Sequence, residues 1–392
     1  MLNVPLFLTR YYVEGEDPFI SLNDLPPEKA SETKAAHCKR NGIGGFYAQD
    51  DYLPQRRQIE AWMREQFIAK GGNPVENVPV YMTLGTSPEG EFDIRGDIQK
   101  DAVSLRIPLD EVDLSAVSFT FPDSMYQFVL NDAGEIMGGE RTNTPDVYRF
   151  HEIESLINAY QTDAHYIEAQ VWNRHMLREF VRRRSEQRAL RCEVIKEKLA
   201  AKSGPLIVGI NGTYASGKTT FADGLRHDLE RMGVKVQVVH YDDFHNPFAS
   251  IQWTEETEID AFYHRAFDSE KLVREVLLPL RERGCLHEDI ACVDLGAGTY
   301  TNVTHFDIDE DTVVLLEGVL LFREPLIAHL DHKIYLDISF DEMLRRGRLR
   351  DVPQFGEWIL EKYRTRYIPV QQRYVAEHDP MGVADVVIDQ NG

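Results

Sequence analysis

Residues 204–392 read as an α/β domain, a parallel sheet flanked by helices, and residues 1–175 as a separate α+β domain. Two observations predict this. Strand and helix signals alternate along the second half, as a parallel sheet with covering helices requires. At its start an apolar run leads through a glycine-rich turn into an amphipathic helix. At 392 residues the chain exceeds one ordinary domain, and two is the natural expectation.

In the first half, Ile59, Trp62, Met63 and Phe67 mark an amphipathic helix closed by Gly71-Gly72. Strand-like runs follow at Val78–Leu84, Ala102–Ile107, Val117–Phe121 and Tyr126–Leu130, with a hairpin turn expected at Asp132-Ala133-Gly134. An antiparallel sheet is the expectation. Asp123, His151, Glu152 and Glu168 are polar groups there whose spacing reads as solvated surface.

Residues 176–203 carry Leu177, Phe180, Val181, Ala189, Val194, Ile195 and Leu199 among many charges, which predicts a charged helical linker. Arg182-Arg183-Arg184 reads as a solvated face of it. Ser203-Gly204-Pro205 ends it. Six strands are expected beyond: Leu206–Ile210, Val234–Val239, Asp289–Val293, Thr312–Leu316, Lys333–Asp337 and Ala384–Ile388. Asp242, Asp294 and Glu317 follow three of them, at the carboxyl edge where open α/β sheets bind ligands.

The turn Gly212-Thr213-Tyr214-Ala215-Ser216-Gly217-Lys218-Thr219 fits G-x-x-x-x-G-K-[ST] at every fixed position, making the domain P-loop NTPase-type. The glycines let successive N–H groups turn toward phosphate oxygens, and the following helix adds its dipole. Gly212, Thr213, Ala215, Ser216, Gly217, Lys218, Thr219 and Thr220 are the expected ATP contacts. Lys218 supplies charge to the terminal phosphates, and the Thr219 hydroxyl is placed for Mg²⁺. No Asn-Lys dipeptide occurs, so the guanine-reading motif of GTPases is absent.

Composition sets further limits. A net charge of −22 and a pI near 5.0 argue against nucleic acid or an anionic membrane as the main partner. No apolar stretch approaches the roughly 20 residues of a membrane span, and Met1–Pro5 does not read as a signal peptide. Cys38, Cys192, Cys285 and Cys292 are scattered, which suggests free thiols and a cytoplasmic setting. A homo-oligomer is compatible with the sequence.

Five segments in order, V-G-I-N-G-T-Y-A-S-G-K-T-T, Y-D-D-F-H, L-L-E-G-V-L-L-F, L-R-R-G-R-L-R-D and A-D-V-V-I-D, resemble the uridine kinase and phosphoribulokinase family of P-loop kinases. The resemblance covers residues 204–392 only. It implies transfer of the ATP γ-phosphoryl group to a hydroxyl of a small metabolite, with Mg²⁺ on the phosphates. Asp242 aligns with the general base and is preferred over Asp243, the alternative base, whose other role would be capping or a Mg²⁺-bound water. Glu317 matches an acid that orients Mg²⁺ water or binds a substrate hydroxyl. Arg346 and Arg350 match lid arginines, with Arg364, Arg366 and Arg373 as looser candidates.

Departures leave the acceptor open. Phe262-Tyr263-His264-Arg265-Ala266-Phe267-Asp268 keeps only the end of a ribose-holding segment, and a basic pair replaces its acids. Phe355 and Glu357 stand where a second pair of lid arginines is expected. Asp294 is retained without an evident nucleobase reader. His245, Tyr263, His264, Arg265 and Asp294 are therefore the expected substrate contacts, and His264 with Arg265 suggests an acidic acceptor. His240, His245 and His264 read as substrate contacts rather than a transition-metal site. A glycerate or sugar kinase of the same superfamily, or a nucleotide-gated regulator, are the alternatives.

Overall fold

A computed structural model describes residues 4–42, 45–85, 102–121, 124, 128–130, 136–138, 146–160, 167–247, 258–294 and 296–390. The chain divides into two compact units, residues 1–184 and 185–391.

In the first unit, strands β1 (Phe7–Val13), β2 (Val80–Leu84), β3 (Ala102–Pro108), β4 (Val117–Thr120) and β7 (Glu168–Val171) form an antiparallel sheet in the order β3-β1-β2-β7-β4. β5 (Phe128–Leu130) pairs with β6 (Ile136–Gly138), and the expected turn between them lies outside the described residues. The predicted helix runs from Tyr52 to Ala69 and buries Ile59, Met63 and Phe67. β1, β7 and the Pro27–Asn41 helix carried no sequence signal that was read. Leu8, Val80, Met82, Ile107, Phe119 and Ala169 fill the main core.

Glu168 corrects the solvated reading. It is only 6% exposed, and its Oε1 accepts from the Ser124 hydroxyl (2.6 Å), the Ser124 N–H (3.2 Å) and Gln170 Nε2 (2.9 Å). Gln170 Nε2 also donates to Thr120 Oγ1. Glu60 Oε1 accepts from Arg56 Nε (3.2 Å) and the Tyr81 hydroxyl (2.9 Å), and its Oε2 from Asn23 Nδ2 (2.7 Å). Buried charge demands such partners.

The predicted linker is a single helix, Arg174–Ala200. Leu177 and Phe180 belong to the core of the first unit, Cys192 and Ile195 to a core of the second.

In the second unit, β8 (Leu206–Gly212), β9 (Lys235–His240), β12 (Thr312–Gly318), β13 (His332–Asp337) and β14 (Val386–Asp389) form a wholly parallel sheet in the order β14-β13-β8-β12-β9. β8 and β12 are buried along their whole length, as strands covered on both faces must be. The order reverses at β8, so its carboxyl end opens at a topological switch point. One expectation fails here. β10 (Leu286–Asp294) joins β11 (Thr299–Ile308) in a separate antiparallel hairpin, so the parallel sheet has five strands. Its outward positions, such as His287, Glu288 and Asp289, are exposed, which a central parallel strand cannot tolerate.

Candidate functional site

The phosphate loop follows β8 directly. Ala215 and Gly217 both take positive φ, 57° and 83°, and for Ala215 that conformation costs on the order of 1 kcal/mol. A Cβ on Gly212 would stand 2.6 Å from Ser216 Oγ and 2.8 Å from the Leu336 carbonyl, so the turn admits only glycine. Gly217 caps the Lys218–Arg231 helix. Ser216 Oγ is buried with no hydrogen-bond partner among the described residues. A buried hydroxyl without a partner in a glycine-rich turn of this motif suits an anionic phosphate.

Three neighbouring strand ends aim acids and bases at this loop. Glu317 pairs in register with Ile210 on β8 and His240 on β9. Its Oε1 accepts from Thr219 Oγ1 (3.0 Å) and from His240 Nδ1 (2.7 Å). Burial raises the Glu317 carboxyl, but His240, Lys218 and Thr219 outweigh it and hold the group below its ordinary value. The same contact lifts His240 above the usual imidazole range.

Lys218 Nζ donates to the Thr213 carbonyl at 2.9 Å. Burial lowers its ammonium, opposed by the charges of Glu317 and Asp242. Asp242 is exposed to solvent, yet the neighbouring protein strips enough hydration to push its carboxyl up, against the pull of Lys218. Asp243 looks elsewhere: its hydrogen bond runs to Thr304 on the hairpin, and His240 is its strongest charged neighbour. Loop lysine, Thr219, Glu317, His240 and Asp242 thus form one electrostatic cluster.

The lid segment lies on the Phe340–Phe355 helix. Arg345 and Arg346 share Glu342, each at 2.6 Å, and Arg346 Nη1 stands 4.0 Å from where a Cβ on Gly217 would be. Arg350 pairs with Asp351 and is among the charges that Lys218 feels. Arg364 pairs with Glu361, Arg366 with Glu258, and Arg373 with Asp260 and Glu377.

Of the expected substrate contacts, Tyr263, His264 and Arg265 line one cleft together, and His245 and Asp294 are not among its lining residues. His245 is buried among Phe262 and Phe267, its Nδ1–H on the Asn246 carbonyl. Tyr263 donates to Glu377 Oε2. Asn246, Arg323 and His378 line that cleft too, and none of its lining residues belongs to the phosphate loop. Asp294 Oδ1 accepts from the Gly296 and Ala297 N–H groups and so holds its own turn.

Three features escaped the sequence. Tyr214 fills a wildcard position of the motif, Tyr367 lies in a π turn at Tyr363–Tyr367, and Gln371 follows one turn later. Only burial and contact reveal them.

The five-stranded parallel sheet with this loop at its switch point defines a P-loop nucleotide-binding fold. Residues 207–391 match the model of the Phosphoribulokinase / Uridine kinase family. The resemblance carried by the five motifs therefore holds for the C-terminal half, and the first 206 residues lie outside the match. A uridine kinase of Limosilactobacillus reuteri (strain DSM 20016) is 24% identical over 196 residues, covering 48% of this chain and 84% of the relative. A uridine kinase of Clostridium botulinum (strain Langeland / NCTC 10281 / Type F) is 25% identical over 192 residues, with 48% and 89% covered. A solved structure of a possible uridine kinase from Bacillus stearothermophilus has 25% identity and a TM-score of 0.41, covering 51% of this chain and 97% of that one. Among the described residues no helix is long and apolar enough to cross a membrane.

Proposed function

We propose that the C-terminal unit transfers the γ-phosphoryl group of ATP to a hydroxyl of a small metabolite, as a uridine-kinase-like enzyme. The observation that carries this reading is Asp242, an accessible carboxylate inside the electrostatic reach of the loop lysine.

In this reading the loop amides, Ser216 Oγ and Lys218 bind the triphosphate, and Arg346 and Arg350 add charge from the lid. Asp242 accepts the proton of the acceptor hydroxyl. The acceptor oxygen bonds to the γ-phosphorus as the bridging P–O bond breaks, and ADP leaves with that electron pair. Thr219 and Glu317 offer oxygen donors suited to Mg²⁺, completed by phosphate oxygens and water. When bound, Mg²⁺ neutralises charge on the phosphates. Asp243, turned to Thr304, serves as a support of the hairpin.

A panel of nucleosides, sugars and hydroxy acids with Mg-ATP tests this directly. Asp242→Asn keeps ATP affinity and loses transfer by on the order of 10²–10⁴-fold. Lys218→Ala weakens both. Intact turnover in Asp242→Asn refutes the base. An absence of any acceptor, with ATP changing the association state, favours the regulator instead.

A further inference from the structure

Three elements converge on a single oxygen of Glu317. β12 brings the carboxyl, the first turn of the Lys218–Arg231 helix brings the Thr219 hydroxyl, and the end of β9 brings His240. Thr219 Oγ1 stands 3.0 Å and His240 Nδ1 2.7 Å from the same Oε1. An ionised carboxylate only accepts, so Nδ1 carries the proton and donates. Oε2 makes no hydrogen bond among the described residues. The carboxylate is pinned through one oxygen and open at the other.

The imidazole is itself held. Glu317 and His240 are register partners on adjacent parallel strands, so their side chains leave the sheet on the same face. The residues that follow them touch: a Cβ on Gly318 would stand 2.5 Å from Tyr241 Cβ. Tyr241 is fully buried, stacked on Phe267 at 4.3 Å and 14°, with its hydroxyl 2.6 Å from Ser269 Oγ. With that neighbour fixed, His240 has little freedom to leave Glu317. Its side chain is nevertheless 40% exposed, against 6% for Glu317, so it is reached from solvent while the carboxylate is not.

We propose that His240 is a positioning residue for the Mg²⁺ that accompanies the nucleotide, acting through Glu317 on the Thr219 hydroxyl. This rests on the nucleotide-binding part of the function proposed above. A hydroxyl has one proton and two lone pairs. Giving the proton to Glu317 Oε1 leaves the Thr219 lone pairs for a cation. His240, on the same oxygen, keeps that carboxylate from turning away. Oε2 remains for the ion or one of its waters. Groups that orient metal ligands from behind set metal affinity almost as strongly as the ligands do. The clamp needs only the Nδ1–H, which the charged ring and one neutral tautomer both carry. His240, expected from the sequence among the substrate contacts, is thereby assigned to the metal side of the site.

Two variants separate the hydrogen bond from the bulk of the ring. His240→Leu removes the donor, and His240→Asn keeps an N–H donor at the same distance from the backbone as Nδ1. Calorimetry measures the affinity of each protein for a non-hydrolysable ATP analogue, once with Mg²⁺ and once with a chelator. In His240→Leu the affinity with Mg²⁺ falls about 10-fold or more, while the affinity in chelator stays within about twofold of wild type. His240→Asn stays within about threefold of wild type in both conditions. With an acceptor that the wild-type protein phosphorylates, His240→Leu lowers kcat and leaves the acceptor KM where it was. Equal gains in affinity from Mg²⁺ in His240→Leu and wild type overturn this inference and leave the kinase standing. So does an effect confined to the acceptor KM, which would make His240 a substrate contact, and so does a His240→Asn protein as defective as His240→Leu. If the wild-type protein binds the analogue under neither condition, the kinase reading falls and this inference with it.

Discussion

Both units bury charged and polar side chains, and both hold buried polar atoms without a hydrogen-bond partner among the described residues, such as Asn23 Oδ1 in the first and Ser216 Oγ in the second, but only the second gathers ionisable groups around a phosphate loop. In the N-terminal unit Glu60 is met by Arg56, Tyr81 and Asn23, and Glu168 by Ser124 and Gln170. In the C-terminal unit Ser216, Tyr214 and Gln371 hold buried polar atoms without hydrogen-bond partners among the described residues, and Asp242 is exposed. A network that satisfies itself contributes rigidity and a defined fold.

The sharpest way to break this comparison is Glu60→Ala. Removing one partner of a buried ion pair strands Arg56 and costs about 3–5 kcal/mol. Thermal melts should show the loss, while ATP affinity, measured by calorimetry, stays at the wild-type value. An unshifted melt would mean the N-terminal network is not a structural one. Gly347→Val is next. A Cβ there would lie 2.4 Å from Tyr363 Cζ, so the lid helix must shift at a cost of about 1–3 kcal/mol. The variant should lose phosphoryl transfer more than stability, read as kcat against Tm, and equal kcat would detach the lid from the reaction.

The smallest effect concerns pH. Glu317 is depressed in the folded state, so its contribution holds above the unfolded carboxyl value and is lost as acid reaches the folded one. His240 is raised, so its contribution is complete below the unfolded imidazole value and fades as pH climbs through the folded one. Stability from the pair is therefore greatest between mildly acidic and neutral pH. His240→Gln should remove the fade on the alkaline side of a Tm-against-pH profile. A profile unchanged by that substitution would show that the contact carries no linkage.

Much of the C-terminal architecture was legible because chemistry forces it into local patterns. An apolar run of β8 kind, a glycine where Ser216 Oγ and the Leu336 carbonyl crowd the backbone, and acids at strand ends all leave marks in sequence. Pairing partners leave weaker marks. Asp289–Val293 has the composition of a strand, but whether it enters the parallel sheet depends on Thr299–Ile308 folding back on it. Substrate contacts were the least legible. His264 and Arg265 end the Glu258–Arg265 helix and line a cleft to which the phosphate loop contributes no residue. Tyr214 and Gln371 are ordinary residues until the fold denies them partners. Glu168 read as surface because a four-residue strand of alternating polar type resembles an exposed edge, while the Ser124 that satisfies it comes from 44 residues away.

The most direct test is a crystal structure of the protein with Mg²⁺, a non-hydrolysable ATP analogue and a hydroxyl acceptor. The account places Lys218 on the terminal phosphate and an Asp242 carboxylate oxygen within about 3.2 Å of the acceptor hydroxyl. An Asp242 turned from that hydroxyl, with no other carboxylate in its place, would contradict it.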